Sequence, residues 1–81
     1  MLSPEQRRVT EADIDRRLNG ARDSLRSLNG RSLSQSQQST VAQIQSFMEQ
    51  AEAARKTDLS SARSLAEKAD ILARDLVRNL K

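Results

Sequence analysis

The segment Asp58–Leu80, DLSSARSLAEKADILARDLVRNL, decides the fold of this chain. Apolar residues recur in it at alternating intervals of three and four positions, which is the spacing of one face of an α-helix. This stripe consists of Leu59, Ala62, Ala66, Ala69, Ala73, Leu76 and Leu80. Four larger residues widen the apolar face: Leu65, Ile71, Leu72 and Val77. We therefore expect this helix to contact two other helices, or one helix and a partner chain.

Two amphipathic helices precede this segment. The first has its cap at Ser3, followed by Pro4 and by Gln6 at the capping-box position, and it should end at Asn29-Gly30. Its stripe is Ile14, Leu18, Ala21, Leu25 and Leu28. A second start signal at Thr10–Asp13 allows a short turn and a helix from residue 11, but the unbroken spacing favours one long helix.

Taken alone, the dipeptide Asn19-Gly20 predicts an interruption of the first helix, because Asn-Gly is typical of a turn. The apolar spacing continues through it. We therefore interpret Gly20 as a glycine tolerated within the helix, at a cost of about 1 kcal/mol relative to alanine. The alternative is a point where another helix or a partner approaches closely.

The second helix begins after Ser34, where Leu33–Gln37 repeats the cap pattern of residues 2–6. Its apolar positions are Val41, Ile44, Phe47, Met48, Ala51 and Ala54. Short connections make consecutive helices antiparallel. The chain is thus predicted to be a single all-α domain over residues 1–81, taken from a longer protein. We expect an up-down-up three-helix bundle with helices at about 4–29, 35–56 and 59–80, or a helical hairpin with a longer, protruding first helix.

The composition excludes most kinds of catalytic and metal-binding site, because the chain has no histidine, cysteine, tryptophan or tyrosine. Acid–base catalysis by histidine and thiolate chemistry are excluded, so we expect no enzyme and no cofactor. Paired carboxylates occur at Asp13/Asp15 and at Glu49/Glu52. The second pair lies on one helix face and could hold a metal, but we interpret both pairs as structural because no Glu-x-x-His pattern is present. The absence of a long apolar run excludes a membrane-spanning segment.

Protein–protein contact is the function class that remains. The net charge is only +3, and the seven arginines of the N-terminal region alternate with acidic residues that can pair with them at i,i+3 and i,i+4. They are Arg7, Arg8, Arg16, Arg17, Arg22, Arg26 and Arg31. We predict a non-enzymatic structural or interaction module that self-associates or binds a protein; the alternative is a small nucleic-acid-binding protein that uses these arginines. The candidate interaction surface is Phe47, Met48, Ile71 and Val77.

Two resemblances accompany this interpretation. The stretch Ala51–Ala69 resembles the hinge and second helix of a tetratricopeptide-like hairpin, in which Ala62 and Ala69 would take the small packing positions. More broadly, the segment Leu28–Ser34, LNGRSLS, with the downstream Val41, Ile44 and Phe47, resembles an uncharacterised helical domain of bacterial envelope proteins, notably acidobacterial lipoproteins. That second likeness covers about residues 2–78 and implies a periplasmic or envelope-attached domain without catalytic residues.

Overall fold

Three α-helices make up the protein in a computed structural model, which describes residues 2–80. They are α1 (Pro4–Arg26), α2 (Gln35–Ala54) and α3 (Leu59–Asn79). No strand occurs among the described residues. The predicted all-α three-helix bundle is confirmed.

Each helix starts at the cap that the sequence predicts. Ser3 and Ser34 accept a hydrogen bond from the backbone N–H three residues later, and the Gln side chain at that later position accepts one from the backbone N–H of the serine. Asp58 accepts backbone hydrogen bonds from the first residues of α3. Because α1 starts at Pro4 as one continuous helix, the alternative start at residue 11 is wrong. Residues 4–9 are exposed.

The helices end slightly earlier than predicted. The first ends at residue 26 instead of 29, the second at 54 instead of 56, and the third at 79 instead of 80. After α1, the backbone N–H groups of Leu28 and Asn29 bind carbonyls three residues back, at 3.1 Å, so the helix tightens into turns. Gly30 follows at a φ of +81°, a conformation that suits glycine and stops the chain from continuing as a helix.

Helix α3 is the element on which the other two pack. It lies against both α1 and α2, whereas α1 and α2 contact each other far less. Six positions of its predicted stripe are buried: Leu59, Ala62, Ala66, Ala69, Ala73 and Leu76. The prediction that this wide face contacts two helices is confirmed, and its alanines allow both neighbours to approach closely.

Ion pairs define the register of α1 on α3. Asp13 pairs with Arg63, and Arg17 pairs with Glu67, four residues further along both helices. The two helices therefore run in the same direction. Helix α2, which comes between them in the sequence, runs antiparallel to both, as the up-down-up arrangement requires. This register also places the exposed first turns of α1 beside the α2–α3 turn and the start of α3.

Gly20 lies inside α1, as predicted, but the reason for a glycine there is a close approach by α3. A Cβ atom at Gly20 would lie 2.7 Å from Oδ1 of Asp70. That separation is shorter than van der Waals contact allows, so the carboxylate occupies the space that a larger residue would need. Close approach, which the sequence offered only as the alternative, is the correct interpretation.

The Asp70 carboxylate is fully buried, and both of its oxygens have cationic partners. Oδ2 accepts a hydrogen bond from Nη1 of Arg17 at 2.9 Å, and Oδ1 accepts one from Nε of Arg74 at 3.1 Å. The hydrogen bond to Asp70 raises the pKa of Arg17 above its ordinary value, against the opposing effect of desolvation. A buried carboxylate without such partners would be strongly destabilising.

We predict that Gly20→Ala lowers the free energy of unfolding by about 1–3 kcal/mol, because the added methyl displaces Asp70 from its two arginines. Urea denaturation followed by far-UV circular dichroism measures this change. In an Asp70→Ala background the same substitution should be neutral, or stabilising by up to about 1 kcal/mol, because only its helix propensity remains. A Gly20→Ala variant more stable than the wild type would contradict the close-approach explanation.

Candidate functional site

The fold separates the acidic pair Asp13/Asp15, whereas Glu49 and Glu52 stay together on one side of α2. Asp13 is nearly buried between α1 and α3 and binds Arg16 and Arg63, whereas Asp15 binds Arg55 at the end of α2. Glu49 and Glu52 are exposed on α2. Within residues 2–80, no three acidic side chains come together in a group that could hold a metal ion.

The ionisation of Asp13 is coupled to the packing of α1 on α3, because this carboxylate of α1 binds Arg63 of α3. Its burial raises its pKa, but hydrogen bonds and charge from Arg16 and Arg63 outweigh that effect, so that the pKa lies below the ordinary value of 3.8. The Asp13 carboxylate therefore binds a proton less readily in the folded state than in the unfolded chain. The stabilisation that ionised Asp13 gives the folded state is complete above pH 3.8 and is lost as the pH falls through the lower, folded-state pKa.

We predict that the difference in unfolding free energy between the wild type and Asp13→Asn is constant from pH 7 to about pH 4.5 and shrinks below pH 3.8. Urea titrations at several pH values measure it. Asp23→Asn is the matched control, because that exposed carboxylate pairs only within its own helix, with Arg26. An Asp13→Asn difference that persists undiminished at pH 2.5 would refute the assignment.

The N-terminal arginines that support the nucleic-acid alternative are partly committed to acidic partners. Arg16 binds Asp13, Arg17 binds Asp70, and Arg26 lies 3.4 Å from Asp23. These ion pairs lower the positive charge available on α1 for a phosphate backbone. The spacing predicts that Asp13 pairs with Arg16 and Arg17 and that Asp23 pairs with Arg26. The pairs Asp13–Arg16 and Asp23–Arg26 are confirmed, whereas Arg17 pairs with Asp70 and Glu67 on α3.

A groove lies between α1 and α2 on the side of the bundle that α3 does not cover. Its volume is about 850 Å³, and it exists because α1 and α2 pack on α3 more than on each other. The floor is apolar, formed by Leu25, Leu28, Leu33, Val41 and Met48. Leu28 is buried and the other four are half-buried, so most of the floor retains surface that water still contacts.

The two rims of the groove carry opposite charge. Arg22 and Arg26 line it on α1, while Glu49 and Glu52 line it on α2. All four are exposed. Apolar floors with charged rims are typical of grooves that bind protein segments, because the floor contributes burial and the rims select orientation.

The four residues predicted as an interaction surface do not share one face. Met48 lies in the groove, whereas Phe47 packs against the core with its ring 6.0 Å below Nζ of Lys68 on α3. Val77 is half-buried against the same core cluster. Ile71 is 53% exposed, nearly opposite the buried alanine face of α3.

The sequence did not indicate the groove itself, although Arg22 and Arg26 belong to the arginines of the nucleic-acid alternative and Glu49 and Glu52 form one of the acidic pairs. Val41, Gln45, Met48 and Glu52 recur every three or four positions on α2 and so form one stripe beside the buried face. That stripe was visible as helical periodicity. Which helix faces it, and whether that helix covers it, depends on how α1 packs on α3.

Comparison with protein-family models, with curated proteins and with solved structures gave no match. The likeness to an envelope-protein domain and to a tetratricopeptide-like hairpin therefore stays a prediction. Among the described residues, none of the helices combines the length and apolar character needed to cross a membrane.

Proposed function

We propose that this domain is a non-enzymatic protein–protein interaction module and that it binds protein through the α1–α2 groove. The observation that carries the proposal is the apolar floor between two oppositely charged rims, left uncovered because both helices pack mainly on α3. Covering it removes apolar surface from water, which favours association by about 25 cal/mol for each Å² buried.

The core of the bundle supports the same proposal. Among residues 2–80, six of the twelve buried hydrophobic residues are alanines, whose side chains contribute little burial energy. A small bundle with such a core gains stability from additional apolar contact. The non-enzymatic assignment rests on the composition and on the two buried carboxylates of the described residues, Asp13 and Asp70, both of which are held by arginines.

Site-specific photo-crosslinking tests the groove as a protein-binding surface. Gln45 is exposed and lines the groove, so a photoreactive phenylalanine analogue there would touch a bound protein. Gln43 is the matched control, because it is exposed on the same helix but does not line the groove. We expect the probe at position 45 to form covalent protein adducts in expressing cells, and the probe at position 43 to form few.

Equal adduct yields at the two positions, or none at either, would contradict the proposal. Circular dichroism of both substituted proteins checks that the helices are retained. The adducts are identified by mass spectrometry, which separates a second copy of this chain from an unrelated protein.

A further inference from the structure

We infer that the occupant of the groove is a second copy of this chain, related to the first by a two-fold axis. This inference rests on the proposed function and names its partner. A two-fold interface uses the same patch on both subunits, so the patch must be complementary to itself in shape and in charge. The α1–α2 groove meets the charge requirement.

The charges lie on the two opposite rims of the groove. Arg22 and Arg26 form the rim on α1, and Glu49 and Glu52 form the rim on α2. Helices α1 and α2 are antiparallel, and the ion pair between Asp15 and Arg55 sets the level of α2 beside α1, so the two charged rims face each other across the groove. The face therefore has a basic rim and an acidic rim, separated by the apolar floor.

A two-fold axis that lies in this face and runs parallel to the groove exchanges the two rims. It places the basic rim of each copy over the acidic rim of the other, which gives two equivalent sets of ion pairs. Between them, the two apolar floors face each other. Opposite charges placed in this way favour the two-fold arrangement over orientations that bring like charges together.

The interface is small. Eleven residues line the groove in one copy, about half of the 20–30 residues per side in a standard interface. We therefore expect a weak, reversible dimer with a dissociation constant in the micromolar range or above. Sedimentation equilibrium from about 10 μM to 1 mM covers that range and should show the apparent mass rising with concentration.

Charge reversal of one rim tests the pairing. In R22E/R26E both rims are acidic, and in E49K/E52K both are basic, so each variant repels its own copies. We expect the dissociation constant of each variant to rise at least about tenfold. The changed side chains are exposed, and the ion pairs they lose within a chain, Arg26–Asp23 and Glu52–Arg55, are solvent-accessible contacts that contribute little to folding.

Mixing the two variants is the decisive measurement. An equimolar mixture restores opposite charges where the rims of the two copies meet, so it should form a heterodimer under conditions where neither variant self-associates. The variant R78E is the matched control, because Arg78 is exposed on α3 and does not line the groove; it should dimerise like the wild type. Circular dichroism of each variant confirms that helicity is unchanged.

A wild-type chain that remains monomeric at 1 mM, or a mixture that does not associate, would overturn the two-fold inference. The crosslinking result tests the proposed function separately from the two-fold inference. If the crosslinker at position 45 captures a different protein while the chain is monomeric, the groove is a binding surface and the second-copy inference alone fails. If it captures nothing and the chain is monomeric, both fail.

Discussion

The buried carboxylate of Asp70 is the constraint on which the arrangement of the helices depends. It has no access to solvent, so its charge must be balanced inside the protein, and Arg17 and Arg74 provide that balance. Arg17 reaches it from α1, and Gly20 leaves the space that the carboxylate occupies. Sliding α1 along α3 by one turn would separate the charges and place a side chain against the carboxylate. Such polar requirements favour one register over others that an apolar seam alone would tolerate.

The groove is a consequence of how α1 and α2 divide the surface of α3. Both helices pack against the alanine-rich face of α3, α1 with the help of the Asp70 and Asp13 ion pairs. They consequently meet each other over little of their length, and the apolar residues between them are covered only in part. The features that orient α1 on α3 thus also leave the surface that we propose as a binding site.

Several parts of this fold could be predicted from the sequence because they depend on near neighbours in the chain. The caps at Ser3, Ser34 and Asp58 involve residues two or three positions apart, and the buried stripe of α3 follows from helical geometry. The ends of α1 and α2 were placed two or three residues too far along the chain. There the backbone tightens into turns with bonds three residues back, which apolar spacing does not reveal.

Candidate binding residues were harder to predict, because exposure depends on the neighbouring helix. Phe47 and Val77 lie at the edge of their stripes, yet both pack against the core, while Met48 faces the groove and Ile71 faces away from it. Residue type and periodicity place a side chain on a helix face. They do not say whether another helix covers that face.

By itself, the sequence determined three helices, their caps, their apolar faces and the lack of histidine and thiolate chemistry, since these follow from residue type and local spacing. Only the tertiary structure decided why Gly20 is a glycine, that Arg17 reaches Asp70 and Arg63 reaches Asp13 across the two helices, and where the groove lies. The contacts of Gly20, Arg17 and Arg63 join residues about 50 positions apart in the chain. Their distances come from the packing of α1 on α3, which no local pattern in the chain specifies.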